Sequence, residues 1–156
     1  MPTNAYDILD TYMDTAGEEY DVHPDLIKSV AASESSFDPS KVSPKGAVGI
    51  MQLMPLIARH YGVTDPLDPI QNIRAGTRYL GDLLKKHRGN QELALAEYHG
   101  GPRNVKTGKV PMWSSGYVRK TMQNFTDPGN IRRLYSTAKL APSDTLPEEE
   151  VREKVR

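Results

Sequence analysis

Apolar residues recur along this chain at spacings of three and four, and nowhere alternate with polar ones long enough to make a strand. Ile8, Leu9, Tyr12, Met13 and Ala16 fall on one side of a helix that starts behind Pro2. His23-Pro24 opens a second helix, with Leu26, Ile27, Val30 and Ala31 on one face, ending near Ser35-Ser36 ahead of Asp38-Pro39. The stretch from Ser43 to Gly49 is punctuated by proline and glycine and reads as a loop or short hairpin. Pro55 suits the first turn of a short helix reaching Tyr61. Asp68-Pro69 then caps and starts the longest helix, lined on its inner face by Ile73, Gly76, Thr77, Leu80, Leu83, Leu84 and His87 and ended by Gly89. Asn90 caps a further helix through Leu93, Ala94 and Tyr98, stopped by Gly100-Gly101-Pro102. Residues 103–114, rich in Lys, Gly and Pro, read as an exposed loop. Tyr117, Val118, Thr121, Met122 and Phe125 form another stripe, and Asp127-Pro128 opens a last core helix with Ile131, Leu134, Tyr135 and Ala138. The pattern predicts an all-α fold.

Composition narrows this picture. With 156 residues, 37% of them hydrophobic and 26% charged, the chain has the size and balance of one folded domain. We place that domain at residues 1–140. From Pro142 the composition turns polar and acidic, so 141–156 reads as a charged tail or linker. No apolar run approaches the ~18 residues of a membrane span. The N-terminus has neither a basic start nor an apolar stretch, so no secretory signal is visible, although a mature chain would have lost one. The absence of cysteine excludes disulfides and cysteine-based metal or redox sites. His23, His60, His87 and His99 lack metal-ligand spacing, so neither a metal nor another cofactor is expected. The zero net charge hides an asymmetry: residues 1–77 carry 5 Lys/Arg and 11 Asp/Glu, whereas residues 78–156 carry 15 and 9. A basic half can steer a polyanion, but a solvated surface of mixed charge gives the same count, so charge decides nothing about function.

Glu34 breaks the pattern. On a helix turning 100° per residue, Ile27, Ala31 and Glu34 fall within about 20–40° of one line. A carboxyl group therefore continues an apolar stripe at a helix C-terminus. Burial and the negative end of the helix dipole both disfavour a charged carboxylate there, which is the condition a general acid needs near neutral pH. The alternative is a helix end already swung into solvent, carrying an ordinary surface glutamate.

The residues around Glu34 carry a resemblance. Glu34-Ser35, Ser43 and the run Gly46-Ala47-Val48-Gly49-Ile50-Met51-Gln52-Leu53-Met54-Pro55 resemble the soluble lytic transglycosylases, relatives of goose-type lysozyme. Asn72-Ile73, Gly76 and Tyr79-Leu80 are similar to that family's middle motif, Ala94 to Pro102 with Val105 to its third, and Tyr117-Val118 to its last. The four motifs stand in the family's order over roughly residues 20–125. The resemblance implies an α-helical, lysozyme-like domain with a substrate cleft between a bundle and a small lobe at Gly46–Met54, with room there for a short β-hairpin. It implies Glu34 as the catalytic residue, with Ser43, Gln52, Met54, Tyr98, His99 and Tyr117 as substrate contacts. Gly46 and Gly49 would let the backbone turn tightly and approach a sugar. The Gln52 amide suits hydroxyl and N-acetyl groups. Met51 and Met54 offer adaptable apolar contact, with plain core packing at least as good a reading for one of them. Tyr98 would place its hydroxyl near the reacting acetamido group or Glu34, Ser35 would bond to local backbone and shape the helix end, and Gly101 belongs to the third motif.

The chain also departs from the family, which usually has Ala-Tyr-Asn-Ala-Gly where this sequence reads Glu97-Tyr98-His99-Gly100-Gly101. His99 replaces an amide with a ring that titrates near neutrality, and Glu97 sets a carboxylate beside the tyrosine. The resemblance implies a lyase reaction on peptidoglycan glycan strands, run by Glu34 alone and leaving a 1,6-anhydro end. A hydrolytic muramidase would need a second carboxylate, for which Glu97 and Asp38 are the candidates; a non-catalytic glycan-binding module is a third reading. The domain looks like those of bacteriophage virion proteins acting on the host wall, with the tail as a junction to a larger virion or secretion assembly. The alternative is a bacterial periplasmic enzyme. No nucleic-acid partner and no membrane span are expected.

Overall fold

A computed structural model describes residues 5–137. Among them the chain forms α1 (Ala5–Tyr20), α2 (Pro24–Ser35), α3 (Pro55–His60), α4 (Pro69–Lys86), α5 (Gln91–Gly100), α6 (Ser115–Thr126) and α7 (Pro128–Thr137). The helix starts follow local chemistry. Imidazole Nδ1 of His23 accepts from the Asp25 amide at the head of α2 (3.1 Å), Asp68 accepts from Ile70 at the head of α4 (3.0 Å), and Asn90 accepts from Leu93 at the head of α5 (3.1 Å). Each side chain satisfies an amide the helix itself leaves open.

The predicted apolar stripes face one core. All five stripe residues of α1 are buried, as are Leu26, Ile27, Val30 and Ala31 of α2 and Ile73, Leu80 and Leu83 of α4. Helix α1 packs on α2 and α4, α4 on α5, and α2 on α6, so α2 and α5 run close to the middle of the bundle. Lys28, on the buried side of α2, reaches Asp10 (3.1 Å) and Asp14 (2.8 Å) of α1. A smaller cluster of Leu53, Ala58 and Ala75 seats α3 against α4.

Two expectations are sharpened. Of the loop or short hairpin expected after Ser43, the loop forms, carrying two isolated antiparallel bridges, Val42 with Val48 and Val48 with Leu53. Pairing stops after each bridge because Gly46, Gly49 and Gln52 take positive φ angles of 93°, 86° and 52°, which no ladder accommodates. Residues 103–114 are not loop throughout: 3₁₀ turns span Pro102–Val105 and Met112–Ser114, anchored by the buried Val105 and Ser114. Ala138 and the tail at 141–156 lie outside the described residues.

Candidate active site

Glu34 occupies the last turn of α2. Ser36 and Phe37 then take left-handed φ angles of 52° and 63° and reverse the chain, with the Ser36 amide donating to Ala32 O (3.0 Å). The Ser35 hydroxyl lies 3.2 Å from Ala31 O and 2.6 Å from Ile50 O, so it ties the helix end to the lobe as well as to its own backbone. Lys41 Nζ donates to the Glu34 carbonyl (2.8 Å), and Thr121 of α6 donates to Ser33 (2.8 Å). Held from three sides, the helix end does not swing out, and the Glu34 side chain is only 12% exposed.

Asn72 of α4 organises the lobe. Fully buried, it accepts from the Met51 amide (2.9 Å) and donates to Val48 O (2.9 Å) and Pro66 O (2.8 Å). Gly49 is required beside it, since a Cβ there would sit 2.2 Å from Asn72 Nδ2. Gln52 turns its amide nitrogen inward to Lys41 O (3.0 Å) and Gly49 O (2.8 Å), bracing the loop. The Ser43 hydroxyl accepts from the Ala47 amide (3.0 Å) across the turn at Gly46. Met51 is buried against Gly76, whereas Met54, just ahead of α3, is exposed. Of the two methionines, Met51 therefore packs in the core and Met54 lies at the surface.

Helices α5 and α6 bring the aromatic groups. The buried Tyr98 donates its hydroxyl to Met51 O (2.8 Å) and so fixes the lobe against α5. His99 points its Nδ1 at Glu34 Oε1 across 3.8 Å and stacks on Tyr117 of α6, with centroids 4.1 Å apart and planes 10° apart. Trp113 lies 6.1 Å from the His99 ring and, at 57% exposed, extends this aromatic row outward. Gly101, just past α5, turns the chain at φ 83° into the 3₁₀ segment. Burial first, then the negative field of Glu34, hold the hydroxyls of Tyr98 and Tyr117 well above the ordinary phenol value. The Tyr117 hydroxyl oxygen is shut from solvent beside Glu34 and Thr121.

The two other carboxylates of interest make contacts of their own. Glu97 is buried at the end of α4, bound by Lys86 Nζ (2.8 and 3.0 Å) and His87 Nε2 (2.9 Å). Asp38 accepts from the amide and hydroxyl of Ser40 (2.9 and 2.7 Å). Among the described residues no group of three or more His, Asp or Glu is placed to hold a metal ion, and no helix is long and apolar enough to cross a membrane. A separate hollow of about 360 Å³ beside α4, lined by Tyr20, Tyr61, Gln71, Arg74 and Arg78, includes none of these site residues.

Sequence reasoning named Asn72 as part of the middle motif without giving it a role, although a polar residue inside the buried face of α4 demands partners, and it missed two further contributors. Lys41 and Trp113 sit in irregular segments without a periodic signal, and only the folded chain shows what they touch.

The profile of the Transglycosylase SLT domain family matches residues 11–110. The chain is 38% identical over 109 residues to a transglycosylase of Enterobacteria phage PRD1, covering 70% of this chain and 40% of that protein. It is 40% identical over 96 residues to membrane-bound lytic murein transglycosylase F 2 of Alkalilimnicola ehrlichii, covering 58% and 21%, and 35% identical over 103 residues to the soluble lytic murein transglycosylase of Escherichia coli K12, covering 60% and 16%. The chain thus spans less than half the length of each of these relatives. Its fold matches that of the 70 kDa soluble lytic transglycosylase of E. coli, with a TM-score of 0.65 at 24% identity over 85% of this chain and 26% of that one. It also matches an inactive variant of the lytic transglycosylase of Pseudomonas aeruginosa, with a TM-score of 0.67 at 21% identity over 88% and 26%. The helical, lysozyme-like architecture follows from these matches, and with the family profile spanning most of the chain, this protein belongs to the transglycosylase SLT domain family.

Proposed function

We propose that this domain is a peptidoglycan lytic transglycosylase that cleaves the β-1,4 bond between N-acetylmuramic acid and N-acetylglucosamine with Glu34 as its one acid and base. The observation that carries this reading is Glu34 itself, largely enclosed and faced by His99 and Tyr117, while Glu97 is bound by Lys86 and His87. In the proposed cycle the Glu34 carboxyl gives its proton to the glycosidic oxygen as the C1–O bond breaks. The muramoyl acetamido oxygen supports the positive anomeric carbon. The Glu34 carboxylate then takes the proton of the C6 hydroxyl, whose oxygen closes onto C1 as a 1,6-anhydro end. Water is not consumed, and the carboxyl is restored. Ser43, Met54, His99 and Tyr117 are the residues we assign to the sugar-facing walls, whereas Gln52 and Tyr98, expected there from the resemblance, spend their amide nitrogen and hydroxyl on the lobe backbone and support those walls from behind. A hydrolase would need a base for water, and the pairing of Glu97 with Lys86 and His87 disfavours Glu97 in that role.

The test is digestion of purified peptidoglycan by wild type and Glu34→Gln, with mass spectrometry of the released muropeptides. Anhydro-ended products are expected from the wild type, with a rate about 10²–10⁴-fold lower in the variant, the usual loss on removing a general acid–base. Reducing-end products would instead assign a hydrolase, and release unaffected by Glu34→Gln would remove Glu34 from the mechanism.

We further propose that residues 1–140 are the catalytic unit of a virion component that opens the host wall locally, joined through 141–156 to a larger assembly. The likeness to a phage transglycosylase supports this setting, and the likeness to bacterial murein transglycosylases supports the alternative, a bacterial periplasmic enzyme. Purified particles would then show the chain as an active band in a peptidoglycan zymogram, and particles without such a band would favour the periplasm.

A further inference from the structure

Trp113 is the single tryptophan of the chain and is 57% exposed, with Met112 beside it 91% exposed. A large apolar ring left in water forgoes the gain of burial, so its display calls for an occupant. The display is rigid. The 3₁₀ turn Met112–Ser114 packs on α5 and α6, and the buried Ser114 closes it by donating its amide and hydroxyl to Pro111 O (3.1 and 3.0 Å). The Ser115 hydroxyl adds a bond to Met112 O (2.7 Å). On its inner side the indole stands 6.1 Å from the His99 ring, whose Nδ1 lies 3.8 Å from Glu34 Oε1. We propose that Trp113 is a sugar platform of the active site: its indole receives the apolar face of a pyranose next to the bond at Glu34, so that strands are discriminated by length. The cutting of that bond rests on the transglycosylase reading above; the platform requires only that the aromatic row binds glycan.

A β-linked pyranose carries its hydroxyl and acetamido groups around the rim and C–H groups on its two faces. The faces are apolar, so a sugar can lie on an indole while its rim keeps hydrogen bonds to water and polar side chains. His99 and Tyr117 do not offer the same platform, because each covers a face of the other, with centroids 4.1 Å apart and planes 10° apart. Among the described residues no ring stacks on Trp113 in that way; its plane is tilted 34° from that of His99. Because the indole lies beyond His99 as seen from Glu34, it meets a neighbouring sugar and not the bond being cut. A membrane surface would also accept an exposed Trp and Met. The continuity of the indole with the ring beside Glu34 favours the glycan.

With one tryptophan in the chain, its emission reports on this indole alone. Peptide-free glycan strands of graded length, prepared from peptidoglycan, are titrated into Glu34→Gln so that cleavage does not consume them. A saturable blue shift of the emission is expected with long strands and not with the shortest disaccharide. By calorimetry in the same background, Trp113→Ala is expected to bind long strands about tenfold more weakly, and Trp113→Phe, which keeps an aromatic face, to recover most of the loss. With Glu34 intact, Trp113→Ala is expected to raise KM on long strands by a similar factor and to change kcat little, since the contact is made before and during bond cleavage alike. Emission unmoved by strands that bind overturns the platform, as do equal affinities in Trp113→Ala and wild type, or no binding at any length. A shift given by vesicles of anionic lipid and not by glycan assigns the indole to a membrane and overturns it too. A glycan-dependent shift in a wild-type protein that never cuts the strands supports the platform and sinks the transglycosylase reading instead.

Discussion

Tyr117 carries a hydroxyl shut from solvent beside Glu34 and Thr121. Tyr117→Phe removes a polar group facing the carboxyl and is expected to lose about tenfold in turnover, the rate equivalent of one hydrogen bond, while its unfolding free energy changes by no more than about 1 kcal/mol. Turnover and calorimetry on the same preparation check both, and a variant with turnover unchanged would leave Tyr117 a plain packing residue. At this scale the sequence located Glu34 but not its surroundings. The apolar line through Ile27 and Ala31 needed only one helix to be visible. That His99 stacks on Tyr117, and that Gln52 faces inward while Met54 faces out, depends on three other segments meeting there.

The helices began where their caps and prolines said they would, because a cap is chemistry between neighbours two or three residues apart. The lobe obeyed no such local rule. Its shape depends on Asn72, which reaches from α4 to three backbone groups of the 48–66 stretch. Asn72→Ala strands the buried Met51 amide and removes all three bonds, so a loss of about 2–4 kcal/mol is expected. Urea unfolding measures it, and a change under about 1 kcal/mol would mean that the lobe is held mainly by packing. The choice between loop and short hairpin, open in the sequence, was decided by the same contacts. The backbone groups of this segment are satisfied by Asn72, Gln52 and Ser35 side chains, leaving single bridges in place of a ladder.

The bundle as a whole has an alkaline weakness. Tyr61, Tyr79, Tyr98, Tyr117 and Tyr135 all have hydroxyls raised above the ordinary phenol value, first by burial and then by nearby acidic groups, with Tyr79 pushed up to about 12. For Lys28, burial opposes the charge, but Asp14 and Asp10 outweigh it and the net shift is upward. Groups raised in the folded state contribute stability that is full below their unfolded values, near pH ~10, and is lost as pH climbs toward the folded ones. One cooperative unfolding step is therefore expected above pH ~10, with buried tyrosines ionising as helical circular dichroism collapses. Gradual ionisation of all eight tyrosines with the helical signal retained would contradict it. The sequence by itself determined the helices, their buried faces, the family motifs and the position of Glu34, because periodicity, capping and short motifs act between residues close along the chain. Only the tertiary structure decided that His99 faces Glu34, that Glu97 is bound at the end of α4, and that Asn72 shapes the lobe. Those contacts join segments far apart in the chain, and no local pattern encodes which distant side chain a helix face will meet.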